Sequence, residues 1–355
     1  MNELESQLDY PHGETMPPLG ATLEVAPGVR WLRMVLPFAL DHINLWLLRD
    51  RIDGREGWSI VDCGISSDTT RAAWERVFAN ELDGLPVLRV IVTHMHPDHV
   101  GLSHWLTQHW STDDHECRLW MSASDFNIAH AACMPGVKGA VLSPEFARQH
   151  GILDADSLAN LGQRSDYYTR LVPSMPERFR RLIGGDVLRI GDHDWTCHVG
   201  YGHAPEHISL HCPALGVLIS GDMVLPRIST NVAVNESEPE GNPLARYLAS
   251  LERMRALPAD TLVLPSHGRP FRGLHTRVDQ LVAHHDARFA DVMSACAQAP
   301  QSAADLLGVL FARALDMHQT GFAMGESIAH LNALWHAGRL TRARDAQGVY
   351  RFSPA

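Results

Sequence analysis

An apolar run over residues 87–92 ends in Thr93-His94-Met95-His96-Pro97-Asp98-His99, which sets three imidazoles and one carboxylate within six residues. No ordinary core asks for that density of ligand atoms. A strand that hands its C-terminal end to such a cluster builds a metal site in a loop, where side chains converge while a sheet holds the backbone. His94 and His96 alternate as in an extended segment and can point the same way, while Asp98 and His99 lie one turn further on and can reach a neighbouring position. That spacing suits two adjacent cations. It also constrains the fold, because the remaining ligands must arrive from other strand ends.

Three further candidates stand in such places: His203 in Gly200-Tyr201-Gly202-His203-Ala204-Pro205, Asp222 in Ser220-Gly221-Asp222, and His267 in Leu264-Pro265-Ser266-His267-Gly268. Each follows an apolar run and is flanked by Gly or Pro, which lets the backbone turn sharply. With 22 histidines in the chain, most are ordinary surface or core residues, and these three gain weight only as a set. His207 and His211 alternate along a strand and are expected to face solvent or a neighbouring chain; His284-His285 is expected on a helix surface. Tyr167 and Tyr168, with Met134 nearby in sequence, either roof a cleft or pack between helices. Arg269 and Arg272, just past His267, either hold a substrate anion or are solvated.

Along the chain, strand-like runs fall at residues 22–25, 30–36, 43–48, 58–62 and 87–93, with a helix-compatible segment at 69–81. Alternating strands and helices predict an α/β arrangement. Residues 123–183, including the glycine-rich stretch 134–139, read as a helical insertion. Strand rhythm returns at 187–190, 195–199, 207–211, 217–220 and 261–264. Beyond about residue 274 come a helix with His284-His285, helical stretches at 302–315 and 324–337, and two short strands at 340–342 and 349–352: a helix-helix-hairpin module.

Composition excludes several classes. At 355 residues, with 45% hydrophobic and 20% charged, the chain predicts a principal domain plus a smaller module, and no apolar run nears the ~18 residues a membrane span needs. The acidic, polar start shows no secretory signal, so a cytoplasmic home is expected. Six cysteines without CxxC pairing argue for reduced thiols over a zinc ribbon or a disulfide framework. A formal charge of −11 disfavours nucleic acid as a substrate. Arg339, Arg342, Arg344 and Arg351 make the tail only weakly basic, which favours packing or homo-oligomer formation over DNA reading.

Taken in order, HxHxDH, GxGH, GD and SHG, with Val61-Asp62-Cys63-Gly64 upstream, resemble the metallo-β-lactamase-fold superfamily, in particular its glyoxalase II-like hydrolases, over residues 20–275. The resemblance implies an αββα sandwich with two metal ions at one edge of two packed sheets. It assigns His94, His96 and His203 to one ion, Asp98, His99 and His267 to the other, and Asp222 as the bridge, with Asp98 and Asp222 the catalytic carboxylates and Asp62 orienting a ligand histidine. The tail, residues 276–355, resembles a winged-helix module appended to some members. Tyr201 stands where a proline is common, and Glu206 where a glycine is common; Glu206 either contacts a ligand from behind or caps the next strand. Glutathione-binding features are not evident at Met223-Val224-Leu225-Pro226-Arg227.

The chemistry so implied is hydrolysis of a small-molecule acyl substrate, a thioester or other ester, by a hydroxide held between two divalent cations. Zinc is the default; iron and manganese suit the same ligands. A lactonase, a mononuclear-iron persulfide dioxygenase and a non-catalytic regulatory protein are the competing expectations.

Overall fold

The computed structural model describes residues 3–134, 142–162, 167–311, 315 and 317–355. Seven strands, β1 Leu23–Ala26, β2 Val29–Val35, β3 His42–Ile52, β4 Arg55–Val61, β5 Val87–Ile91, β6 Arg118–Met121 and β7 Phe179–Arg181, form one sheet in sequence order. Neighbours are antiparallel from β1 to β4 and parallel from β4 to β7. The β3–β4 hairpin turns at Asp53-Gly54, both with positive φ. This is the turn geometry that matches strand twist, and Asp-Gly is its preferred dipeptide.

A second sheet holds β8 Val187–Ile190, β9 His193–Gly200, β10 His207–Cys212, β11 Val217–Gly221 and β12 Leu262–Pro265, in the order β12-β11-β10-β9-β8. The near-continuous apolar run of β3 reflects cover on both faces. Ile43, Leu45 and Leu47 meet the helices Asp68–Asn80, Ser103–Trp110 and Ala123–Ala132, while Trp46 and Leu48 turn inward against Trp195, Ile208 and Leu210 of the second sheet. The outer face of the second sheet is covered by the helices Pro243–Met254, Leu274–Gln298 and Met317–His336. The layers are therefore helix, sheet, sheet, helix, as expected. No helix of the described residues is long and apolar enough to cross a membrane.

Among its described residues the expected insertion contributes the helices Ala123–Ala132, Pro144–Gln149, Ala155–Gly162 and Tyr167–Leu171, but its end is β7, an edge strand of the first sheet. Residues 135–141, the core of the glycine-rich stretch, lie outside the described residues. Within 302–315 only Leu307–Leu310 is α-helical among the described residues. The chain ends in the hairpin β13 Leu340–Arg344 and β14 Tyr350–Pro354. A single apolar cluster joins this tail to the sandwich, since Ile328, Leu340 and Phe352 share it with Leu218 and Val263 of the second sheet.

At one edge the two sheets are sewn together. Asn44 N donates to the Ser266 carbonyl at 2.7 Å, Ile208 N to the Thr93 carbonyl at 2.8 Å, and the Asn44 side-chain amide to the carbonyls of Pro265 and Gly268. The C-terminal ends of β4, β5, β9, β11 and β12 thus open onto one place.

Candidate metal centre

Into that place project the seven predicted side chains. His94 Nε2, His96 Nδ1 and His203 Nε2 lie 2.9–3.0 Å from one another. Asp98 Oδ2 lies 3.6 Å from His99 Nε2 and 3.4 Å from His267 Nε2. Asp222 stands between the two groups, with Oδ2 3.2 Å from His203 Nε2 and Oδ1 3.6 Å from His99 Nε2 and 3.5 Å from His267 Nε2. Three sets of ligand atoms, His94/His96/His203, His94/His99/Asp222 and Asp98/His99/His267, each fall within 4.8 Å.

Four of the five candidate ligand histidines have a fixed partner at the ring nitrogen turned away from the centre. His99 Nδ1 lies 2.8 Å from the Asp62 carboxylate, His203 Nδ1 2.7 Å from the Asn231 carbonyl, His267 Nδ1 2.7 Å from the His42 carbonyl, and His94 Nδ1 3.0 Å from the Thr93 hydroxyl. Such contacts set the tautomer and leave the other nitrogen's lone pair aimed inward. Asp62 does this from a left-handed backbone, φ 62°, and it also accepts from Thr93 N at 2.8 Å and from the Thr93 hydroxyl.

Two residues behind the centre were not among the candidates. The buried Asp125 carboxylate accepts from Met95 N at 2.9 Å and Glu206 N at 2.8 Å, tying the His94–His99 loop to the segment after His203. In sequence Ser122 and Asp125 look only like a helix cap, and the cap is real, with Ser122 Oγ accepting from Asp125 N; nothing in the pattern signals the second duty. His207 is the other, and here the expectation of a solvent-facing side chain is corrected. It is fully buried with its ring 4.9 Å from that of His94, and its Nε2 accepts from Asp222 N at 3.1 Å. β10 is a central strand covered on both faces, so alternation along it marks no exposed side. His211 is buried for the same reason.

Other expectations resolve as follows. His285 is buried on the long helix, whereas His284 is exposed. The Tyr168 hydroxyl donates to the Met95 carbonyl at 2.6 Å, so this residue buttresses the ligand loop from within. Arg269 binds Glu14 and the Gly13 carbonyl, and Arg272 the Asp260 carbonyl, so both have partners within the chain. Glu206 Oε2 accepts from Ser124 N at 3.3 Å and touches no ligand.

Electrostatics divide the centre into two halves. Burial first, then neighbouring imidazoles, pushes His94 well below the usual histidine range and His96 down to about 3, leaving neutral rings. In the other half burial opposes charge but is outweighed: Asp222 and Asp98 hold His267 up at about 10, and His99 and His267 hold Asp98 down at about 2. Asp222 Oδ1 and His99 Nε2 are buried with no hydrogen-bond partner. Imidazole nitrogens and carboxylate oxygens gathered this closely suit a divalent cation, for which the two are a common donor set.

Packed sheets flanked by helices, with a histidine–aspartate centre at their strand ends, define an αββα metallohydrolase. The family model of the metallo-beta-lactamase superfamily matches residues 40–267, and that of the metallo-beta-lactamase-like C-terminal domain matches residues 289–355. This chain belongs to the metallo-beta-lactamase superfamily. It is similar to a beta-lactamase domain protein from Burkholderia ambifaria, with 54% identity, 100% of each chain covered and a TM-score of 0.94. A metallo-beta-lactamase family protein from Thermus thermophilus is 26% identical, with 94% of this chain and 100% of that one covered and a TM-score of 0.77. The probable metallo-hydrolase YqjP of Bacillus subtilis (strain 168) is 24% identical over 325 residues, covering 90% of this chain and 96% of its own length.

Proposed function

We propose that the protein is a binuclear metal-dependent hydrolase that cleaves a small thioester or other acyl ester. The observation that carries this reading is the placement of Asp222, whose partnerless Oδ1 and whose Oδ2 face the two ligand groups on either side. His94, His96 and His203 would hold one cation, Asp98, His99 and His267 the other, and Asp222 both. Bound there, two divalent cations supply an activated water at neutral pH and polarise the scissile carbonyl.

The chain's own part is positioning. Asp62, Asn231 and the His42 carbonyl fix three ligand rings, so the site needs little reorganisation as charge develops. Asp98 has the most exposed side chain of the three carboxylates Asp62, Asp98 and Asp222, and its neighbours keep it ionised. It can orient the attacking water. Zinc is the default cation for these ligands.

Metal analysis of protein purified without added metal, followed by hydrolysis assays on thioester and lactone panels, tests the reading. About two metal equivalents and thioester turnover support it. Preferential turnover of lactones would make it a lactonase, one iron with oxygen uptake on a persulfide would replace it with a dioxygenase, and metal binding without turnover would favour a regulatory role.

The tail is proposed to be winged-helix-like, on its helix-helix-hairpin order, and to serve packing. Three of its arginines are engaged within the chain: Arg342 stacks on Trp335 and Tyr350 and binds Glu240, Arg344 donates to the Tyr350 hydroxyl, and Arg351 binds Asp345. Six free cysteines fit the expected reducing, cytoplasmic setting.

A further inference from the structure

The segment 222–234 leaves Asp222, runs past the surface and returns beneath His203, and three elements outside the sheets staple it. Tyr247 OH donates to the Met223 carbonyl at 3.1 Å, and the buried Arg277 donates to the carbonyls of Leu225 at 2.6 Å and Ile228 at 2.9 Å. The third staple comes from the C-terminal helix Met317–His336. Val234 N donates to the Gly325 carbonyl at 3.0 Å, and the Asn231 side-chain amide donates to Glu326 Oε2 at 3.4 Å. Gly325 permits this approach, because a Cβ there would lie 2.7 Å from that of Ala233. Val232 and Val234 share an apolar cluster with Met324 and Ile328 of the same helix. The Asn231 carbonyl, carried by this segment, is the partner of His203 Nδ1.

We propose that the C-terminal helix is a working part of the catalytic site: Gly325 and Glu326 clamp Asn231 so that its carbonyl holds His203 in the orientation that binds a cation. Glu326 is thus a positioning residue, acting through Asn231 and touching neither ligand nor substrate. This inference rests on reading His203 as a metal ligand. An uncharged amide oxygen at position 326 accepts the same hydrogen bond, whereas an aliphatic side chain leaves Asn231 unpaired beside it. Partners behind a metal ligand typically govern affinity by about 10–100-fold. Glu326 itself is pushed up to about 7 by burial, consistent with a carboxyl group kept for structural hydrogen bonding.

The test uses full-length protein loaded with cobalt(II), read by its ligand-field spectrum and by the rate of cobalt release to a chelator. Glu326→Leu is expected to alter the spectrum and speed release from one of two sites about tenfold or more, while Glu326→Gln stays within about twofold of the parent protein. Asn231→Ala combined with Glu326→Leu should show strong non-additivity, as residues in one contact chain do. Should Glu326→Leu fail to fold by circular dichroism, Gly325→Ala displaces the same segment without deleting a polar group, and its release rate should rise in the same direction. A parent protein that binds cobalt, with variants matching it in spectrum and release, overturns the inference. A parent protein that takes up no cobalt overturns instead the reading of the centre as metal-binding.

Discussion

At the scale of single residues, the centre is held by groups that bind nothing themselves. Asp62 occupies a left-handed conformation that costs a non-glycine residue about 1–3 kcal/mol, and in return its carboxylate spans Thr93 and His99. Asp62→Ala should weaken metal retention about 10–100-fold with little change in overall fold, measured by competition against a chelator. Gly221, at φ 54°, lies against His207, and a Cβ there would meet the imidazole that accepts from Asp222 N. Gly221→Ala is expected to destabilise the protein by about 1–3 kcal/mol or more, seen as a lower thermal unfolding midpoint. The cluster His94, His96, Asp98 and His99 was legible because its spacing is unusual in itself, whereas His203, Asp222 and His267 stood out only as a set at strand ends. Asp125 and His207 were not, because a capping aspartate and a strand histidine are ordinary until the strands are assembled.

At the scale of elements, residues 43–48, 58–62, 87–93 and 207–211 announced their strands through continuous or alternating apolar runs, and the sheets confirm them. β6 and β7 did not: β7 is three residues inside the stretch read as helical, and β6 went unread although strands of the same four-residue length at 187–190 and 261–264 were read. The helix Pro243–Met254 carried a readable signal in its Asn242 cap and first-turn proline, but it lies outside the strand rhythm that organised the reading. Burial pushes His285 down to about 3 and His330 to about 4 on the helices at the C-terminal end, and His150, which caps the helix Pro144–Gln149 and lies beside Tyr350, to about 4. Their unfolded counterparts titrate near 6.5, so the unfolded chain binds more protons once pH falls below about 6.5, and stability drops progressively towards about pH 4. Glu326, raised to about 7 by burial, acts oppositely between about 4.5 and 7, one group against three. Thermal midpoints should therefore fall from neutral pH to about pH 5, and His285→Leu should flatten that slope; an unchanged slope would show that His285 is not the group responsible.

At the scale of the whole molecule, the sandwich and the tail do not close separately. Leu218, Val263, Ile328 and Phe352 belong to one apolar cluster, so a chain cut after residue 288 would strip the helix Met317–His336 and the terminal hairpin from that cluster and expose the apolar side chains they cover. Such a truncation is expected to aggregate or to unfold without cooperativity, checked by light scattering and calorimetry. The close seat of Gly325 on Ala233 has a consequence for how such chains diversify. The helix and the segment it rests on must change in concert, since a bulkier residue on either surface shifts the other. Chimaeras that exchange the tail alone between relatives should lose metal occupancy, and those that carry residues 222–234 along with it should keep it, making these two distant stretches a single heritable unit.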